Sequence, residues 1–378
     1  MFTELHVRNW KNFQQIHVRN LGARIFCVGP NASGKSNLLD VFRFLHDLCR
    51  TGGGFQSAVL NRGGVSKVRC LSARRHSDIE IDVRMDLKGV QWEYFLSFNQ
   101  NNNQIPVIRH ERVWRDGEML LDRPTETDLE DPVQLTQTQL EQLTANRAFR
   151  DVANFLDSIE YLHIVPQLVR EPERSVGRVQ DPFGGDFLEQ VAKTHQRNRD
   201  MRFRRIETAL KVAVPQLEEL KLDRDAKGTP HLFGRYVHWR KNAGWQTEDQ
   251  FSDGTLRLLG LLWAMQRGSG PLLLEEPELS LHPAVIQRLP QMFAHVVRQR
   301  RQVIISTHSP DLLSDTGIRP EEVLVLEPSP EGTTVTHGSE DEAIRILVDS
   351  GATVADAVLP RTKPKHVEQI SLFGADLP

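Results

Sequence analysis

The chain has 378 residues, 39% hydrophobic and 26% charged, with a formal net charge of −3; this allows one large domain or two ordinary ones and excludes a bulk polycation, so any nucleic-acid surface must be a local patch. Cys27, Cys49 and Cys70 are its only cysteines and form no C-x-x-C pair, which excludes a disulfide framework or zinc knot and suits a reducing cytoplasm. No run of about 18 apolar residues is present to span a bilayer, and the opening MFTELHVRNWKNF lacks a signal peptide's basic start and apolar stretch, so the protein is expected to stay in the cytoplasm with no membrane contact.

Residues 3 to 28 read as short strands. "ELHVRNW" and "QQIHVRN" alternate apolar and polar residues, as half-buried strands do. "ARIFCVG" ends in a continuous apolar run, Ile25 to Val28, which suits a strand buried on both faces. A helix follows, with Leu38, Val41, Phe42, Leu45 and Leu48 at three- and four-residue spacing. "RTGGG" stops it. From about 56 to 115 the pattern is again β-rich ("DIEIDVRMDL", "VQWEYFLSF", "VIRHERVWRD"). Residues 116 to 160 are mixed and acidic, with a helix expected from Gln137 to Leu156. "IEYLHIVPQLV" reads as a buried strand, 167 to 186 as a loop, 186 to 221 as helix with a basic middle, and "HLFGRYVHWRK" as a strand. From 252 the order is helix (255 to 266), strand (271 to 275), helix (283 to 300), strand (302 to 306), helix (310 to 314). That alternation implies a parallel sheet with helices packed on it. Residues 315 to 378 are expected to hold a small strand pair, one helix and a Lys/Pro-bearing tail.

Between the buried strand and the first helix stands "GPNASGKS", Gly29-x-x-x-x-Gly34-Lys35-Ser36, a P-loop in the context that confirms one. Gly29 and Gly34 permit backbone angles that turn successive N–H groups inward as an anion nest. The helix behind them presents its positive end to the same phosphates. Lys35 is expected to reach the β- and γ-phosphates of ATP, and Ser36 to ligate Mg²⁺. Asn31, Ala32, Ser33 and Asn37 complete the expected nucleotide contacts.

"PLLLEEPELSLHP" carries adjacent acids, Glu275 and Glu276, at the tip of a buried strand, where desolvation is costly unless a cation and a polarised water offset it. Glu275 is expected to hold Mg²⁺ and Glu276 to orient or deprotonate the attacking water; an acidic helix cap is the plainer alternative. "VIISTHSP" ends the next strand at His308; taken alone it is an ordinary surface histidine, but its order after the carboxylates makes a γ-phosphate sensor the expectation. "QFSDGTLRLL" places Ser252 and Gly254 at a helix start, either an ordinary cap or a second phosphate site. One chain does not need two such sites for one triphosphate. Two chains do, if each covers the nucleotide held by the other.

Taken together, the P-loop, "FSDGT", "LLLEEPELSLHP" and "STHSP" resemble an ABC-type ATPase head. "FSDGT" stands where that family has its LSGGQ signature, "EEPELSLHP" for Walker B plus D-loop, and His308 for the H-loop. More narrowly the chain is similar to the RecF/SMC/OLD branch: "HVRNWKNF" resembles its opening strand, and "EEPE…LHP" with "STHSP" resembles OLD and related AAA-type defence and repair ATPases. The resemblance covers 1 to 50 and 250 to 315. It departs at Asp253, where transporters have glycine, and at Glu275, one methylene longer than the usual aspartate. Gln167, in "HIVPQLVR" at the end of the expected buried strand, is either the Q-loop residue and a further metal contact or an ordinary exposed strand-end glutamine.

The resemblance implies an α/β fold: an ABC-type P-loop NTPase head with a mixed/parallel sheet flanked by helices, an N-terminal antiparallel β subdomain and a helical lid insertion. The expected division is 1–115 (Walker A and β subdomain), 116–250 (lid), 251–315 (signature, Walker B and H-loop) and 316–378 (extension). It further implies a slow ATPase that dimerises, or forms a higher even oligomer, around ATP as a switch in DNA repair or antiphage defence. Prolines at 106, 124, 132, 166, 172, 182, 215 and 230 exclude long coiled-coil arms. Residues 315 to 378 hold no DxD pair with an upstream catalytic acid of the kind that marks the nuclease following such ATPases, so a separately encoded effector is expected. Arg197, Arg199, Arg202, Arg204 and Arg205 could grip DNA, or form a solvated face paired with Glu207, Glu218 and Glu219; "RGGVSKVRC" near 62 to 70 is a weaker basic candidate. The competing functions are a transporter's energising subunit and a sensor or scaffold that binds ATP without hydrolysing it.

Overall fold

The computed structural model describes residues 1–73, 77–175, 181, 183–240 and 244–363. The expected C-terminal tail and part of the expected 167–186 loop lie outside them. The strands are β1 (Phe2–Trp10), β2 (Phe13–Val18), β3 (Arg24–Val28), β4 (Ile79–Leu87), β5 (Val90–Gln100), β6 (Pro106–Arg115), β7 (Glu118–Arg123), β8 (Glu160–Leu162), β9 (Leu217–Arg224), β10 (Pro230–Tyr236), β11 (Trp245–Thr247), β12 (Leu272–Glu275), β13 (Val303–Thr307), β14 (Val323–Ser329) and β15 (Gly332–His337). The chain forms two compact units, Met1–Ile159 with Ser306–Pro378, and Glu160–Ile305. Their second boundary falls inside β13.

In the first unit an antiparallel sheet runs β2-β1-β4-β5-β6-β7. Its strands alternate as a one-sided sheet must: Leu5, Val7, Ile81, Val83, Tyr94 and Leu96 are buried, while Glu4, His6, Arg8, Glu80 and Asp82 stand on the other side, part-exposed. Helix Lys35–Cys49 turns Leu38, Val41, Phe42, Phe44, Leu45 and Leu48 into this core, with Phe42 against Phe2 and Phe44 between Trp10 and Phe98. β14 pairs parallel with β3 and antiparallel with β15. All five residues of β3 are buried, as its unbroken apolar run requires.

The second unit pairs β12 parallel with β8 and carries an antiparallel sheet ordered β11-β10-β9. Buried Arg301 ties its parts together, donating to the carbonyls of Gly270 and Ala264 at 2.7 Å each and pairing with Glu160 at 3.1 Å. No described helix is long and apolar enough to cross a membrane.

Several elements differ from expectation. Helices Phe55–Leu60 and Val65–Val68 occupy the start of the supposed β-rich stretch. The expected helix over Gln137–Leu156 is regular only at Arg150–Asp157, behind a short 3-10 turn. Upstream, the N–H groups of Gln139 and Leu140 donate to the buried Glu111 carboxylate at 2.8 and 3.1 Å, so no helical ladder forms there. The basic helix ends at Ala213, before Pro215, and the "LEELKL" read as helix is β9. The strand expected over 159–169 is only β8, because Pro166 opens a helical turn at Pro166–Val169. β7 was not foreseen, and the C-terminal part holds two helices, Glu342–Asp349 and Val354–Thr362, rather than one.

Candidate functional site

In the first unit β3 delivers the chain to a tight loop. A Cβ on Gly29 would lie 2.5 Å from Ser33 Oγ and 2.6 Å from the Leu326 carbonyl, so only glycine fits. Gly34 stands at φ +96°, and a side chain there would also overlap the Asn12 carboxamide. Ala32 is likewise left-handed at φ +63°. Helix Lys35–Cys49 starts on Gly34 with no side chain capping it, which leaves its first N–H groups for another acceptor. The buried Lys35 ammonium donates to the carbonyls of Gly29 and Pro30 at 2.9 and 3.1 Å. Ser33 Oγ is buried with no protein partner. Asn31, Ala32 and Ser36 are exposed. The loop is thus a cradle with backbone N–H groups, an orphan hydroxyl and one ammonium, a donor set suited to a phosphate chain.

What holds the cradle was not foreseen. Asn12 donates to the Ser33 carbonyl at 3.0 Å and to Thr333 Oγ1 at 2.7 Å, and accepts from Asn37 Nδ2 at 2.7 Å. Thr333 Oγ1 in turn donates to the Ser33 carbonyl at 2.8 Å. Asn12 lies 21 and 25 residues from Ser33 and Asn37, and Thr333 lies 300 or more from Ser33 and Asn12, so no local pattern marks them. His308, also in this unit, is exposed at the end of β13. The turn around it is fixed by Ser309, whose N–H donates to Thr307 Oγ1 at 3.0 Å and whose hydroxyl caps Leu312.

In the second unit Glu275 ends β12, half-buried. The Tyr161 hydroxyl donates to Glu275 Oε2, and His163 Nδ1 meets the Glu275 carbonyl at 3.3 Å. Both come from β8 and the residue just past it, beside the strand that carries the acid. Tyr161 orients a carboxylate whose longer arm would otherwise sample several rotamers, while His163 meets the backbone of the same residue. A Tyr-x-His on a short strand has no distinctive spacing, which is why sequence alone passes it over. Glu276 sits at φ +43°, a left-handed conformation costing a non-glycine residue about 1–2 kcal/mol and one that recurs at functional sites. Ser280, four residues on, is also left-handed at φ +62°.

Helix Asp253–Met265 opens this unit's other candidate site. Ser252 is its N-cap, exposed, accepting from Thr255 N–H at 3.2 Å. The Ser280 carbonyl lies 2.5 Å from where a Cβ of Gly254 would be, so that glycine is fixed by close approach. Gln167, expected at a strand end, is instead exposed inside the Pro166–Val169 turn. In the basic helix Gln196–Ala213, Arg197, Arg204 and Arg205 are exposed, whereas Arg202 stacks 5.3 Å over the Trp263 ring and Arg199 lies beside Asp200. The acids proposed to neutralise this face are engaged elsewhere: Glu207 accepts from Leu220 N–H, and Glu218 and Glu219 pair with Arg235. In the weaker basic candidate at 62 to 70, Arg62 is no part of a free basic surface, since its side chain is buried between Asp40 and Asp47 at 2.9 Å each.

A family model described as "AAA domain, putative AbiEii toxin, Type IV TA system" matches residues 26–314. No curated protein matches the chain. Among solved structures it is similar to an Smc head bound to the C-winged helix domain of ScpA, with TM-score 0.54, 13% identity and coverage of 89% of this chain and 96% of that one. It is also similar to an Smc head with an extended coiled coil, bound to the C-terminal domain of ScpA derived from Pyrococcus furiosus, with TM-score 0.51, 11% identity and coverage of 92% and 99%.

Proposed function

We propose, from the premise that this chain belongs to the AAA_21 family and is an ABC/SMC-like AAA ATPase in fold, that it binds ATP with Mg²⁺ and hydrolyses it slowly as a dimerising switch. The observation that carries the reading is the cradle from Gly29 to Ser36. Its two glycines have no room for side chains, its helix start is uncapped, and Lys35 is buried against it.

The roles follow from chemistry. Backbone N–H groups of the loop and of Lys35, Ser36 and Asn37 bind phosphate oxygens, and Lys35 exchanges its carbonyl partners for the β- and γ-phosphates. Ser36 and Glu275 are the residues proposed to hold Mg²⁺, which when bound would supply charge neutralisation at the phosphates; Gln167, exposed in a helical turn, is left out of that set. Glu276 takes a proton from the attacking water and His308 contacts the γ-phosphate. Ser252 and Gly254 of a second copy offer their helix start to the same phosphate.

The proposed setting of the switch is a cytoplasmic defence or repair system; the toxin named in the family's description favours the defence side. A separately encoded effector protein is its proposed partner; the similar Smc heads are themselves bound to ScpA domains. DNA is the second proposed partner, through Arg197, Arg204 and Arg205, the exposed part of the basic helix.

The central claim is tested by sedimentation. The chain should be smaller without nucleotide, double its mass with ATP, and fail to do so with ADP. Ser252→Arg should abolish the doubling while each copy still binds a fluorescent ATP analogue. Association that ignores nucleotide, or survives Ser252→Arg, sinks the reading. A second test concerns Glu275. Tyr161→Phe removes the hydroxyl that orients it and should raise the Mg²⁺ concentration for half-maximal turnover about tenfold; an unchanged Mg²⁺ titration would remove Tyr161 from the site.

A further inference from the structure

The signature segment carries a carboxylate, Asp253, between Ser252 and Gly254, the two groups assigned to a phosphate. An acid in the first turn stabilises its own helix. It also repels an incoming phosphate anion at contact range. The structure places a cation on it. Asp253 Oδ1 lies 2.6 Å from Arg170 Nη2, and the same nitrogen donates to the Phe251 carbonyl at 2.6 Å. Arg170 therefore grips the chain on both sides of Ser252. Its side chain is 23% exposed and that of Asp253 41%, so the pair is neither fully solvated nor buried. A second guanidinium, Arg257, follows one turn later on the same helix; burial lowers its pKa, while Asp253 and Glu276 act against that. Arg170 itself directly follows the helical turn that carries Gln167.

We propose that Arg170 is a positioning residue that cancels the charge of Asp253, keeping the Ser252–Gly254 helix start receptive to the γ-phosphate of a nucleotide held by a second copy. This rests on the dimer reading above and explains how an aspartate is accommodated in a phosphate-facing signature. Arg170 does not touch the nucleotide; it acts through Asp253.

The test is ATP-driven association of the Glu276→Gln protein, in which ATP is not consumed, followed by sedimentation. Arg170→Ala should raise the ATP concentration for half-maximal association about tenfold. That loss should shrink at high salt, because part-exposed charges are screened. Arg170→Lys should recover most of it. The decisive variant is Arg170→Ala with Asp253→Asn: once the negative charge is gone, the arginine should matter less than about twofold relative to Asp253→Asn alone. If Arg170 only anchors the Phe251 carbonyl, the double variant stays as weak as Arg170→Ala and salt changes nothing, and the proposal is overturned. If the Glu276→Gln protein itself does not associate on ATP, the dimer reading fails first and the proposal falls with it, an outcome distinct from a failed rescue.

Discussion

Glu276→Gln is expected to lower ATP turnover by about 10²- to 10⁴-fold, the usual contribution of a positioned general base, while leaving nucleotide binding intact. The substitution keeps the size of the side chain and removes its charge and basicity. Glu276 stands at φ +43°, a backbone cost that glutamine shares, so the melting temperature should stay nearly unchanged. The turn has a backbone tie that both residues keep, since Leu279 N–H donates to the Glu276 carbonyl at 3.2 Å. The variant should then accumulate in its ATP-bound, associated form. Turnover is measured by phosphate release and association by sedimentation. Glutamine turnover equal to the parent's would remove Glu276 from the chemistry; a parent that releases no phosphate at all would leave the ATP-binding sensor as the better reading.

Lys35→Ala should abolish ATP binding at micromolar concentrations. A charge-assisted hydrogen bond contributes about 1.5–3 kcal/mol, roughly a factor of 10 to 150 in affinity for each lost phosphate contact, and this ammonium is assigned two. The effect on the fold has the opposite origin. In the structure Lys35 Nζ satisfies the carbonyls of Gly29 and Pro30, so alanine leaves two acceptors to water and should cost about 1–3 kcal/mol of stability. Lys35→Met, which keeps the packed stem, separates the two effects: it should fold better than the alanine variant and bind ATP no better. Calorimetric titration with a slowly hydrolysed ATP analogue, alongside thermal unfolding, gives both readouts. Unimpaired binding by either variant would contradict the cradle.

Much of the site was legible because its groups are local. A P-loop is eight consecutive residues whose chemistry is written in glycine spacing and one lysine, and the structure places Gly29, Gly34 and Lys35 around one tight turn. The β3 run was legible for the same reason: a strand buried on both faces has no polar positions to hide. The segment from 137 to 144 was not, because the N–H groups of Gln139 and Leu140 are taken by Glu111, which the sheet strand β6 carries there. Gln167 was misplaced because a proline turned an apolar run, which periodicity alone reads as strand, into a helical turn.

The sequence by itself determined the phosphate loop, the adjacent acids at a strand tip, the serine-started helix and the alternating strands and helices after 252, because each is a short-range relation between residue type and backbone. Only the tertiary structure decided what braces them: Asn12 and Thr333 beneath the loop, Tyr161 on Glu275, and Arg170 on Asp253. Those contacts join residues tens to hundreds of positions apart, and a polar side chain's partner is fixed by where the folded backbone carries it rather than by its neighbours in the chain.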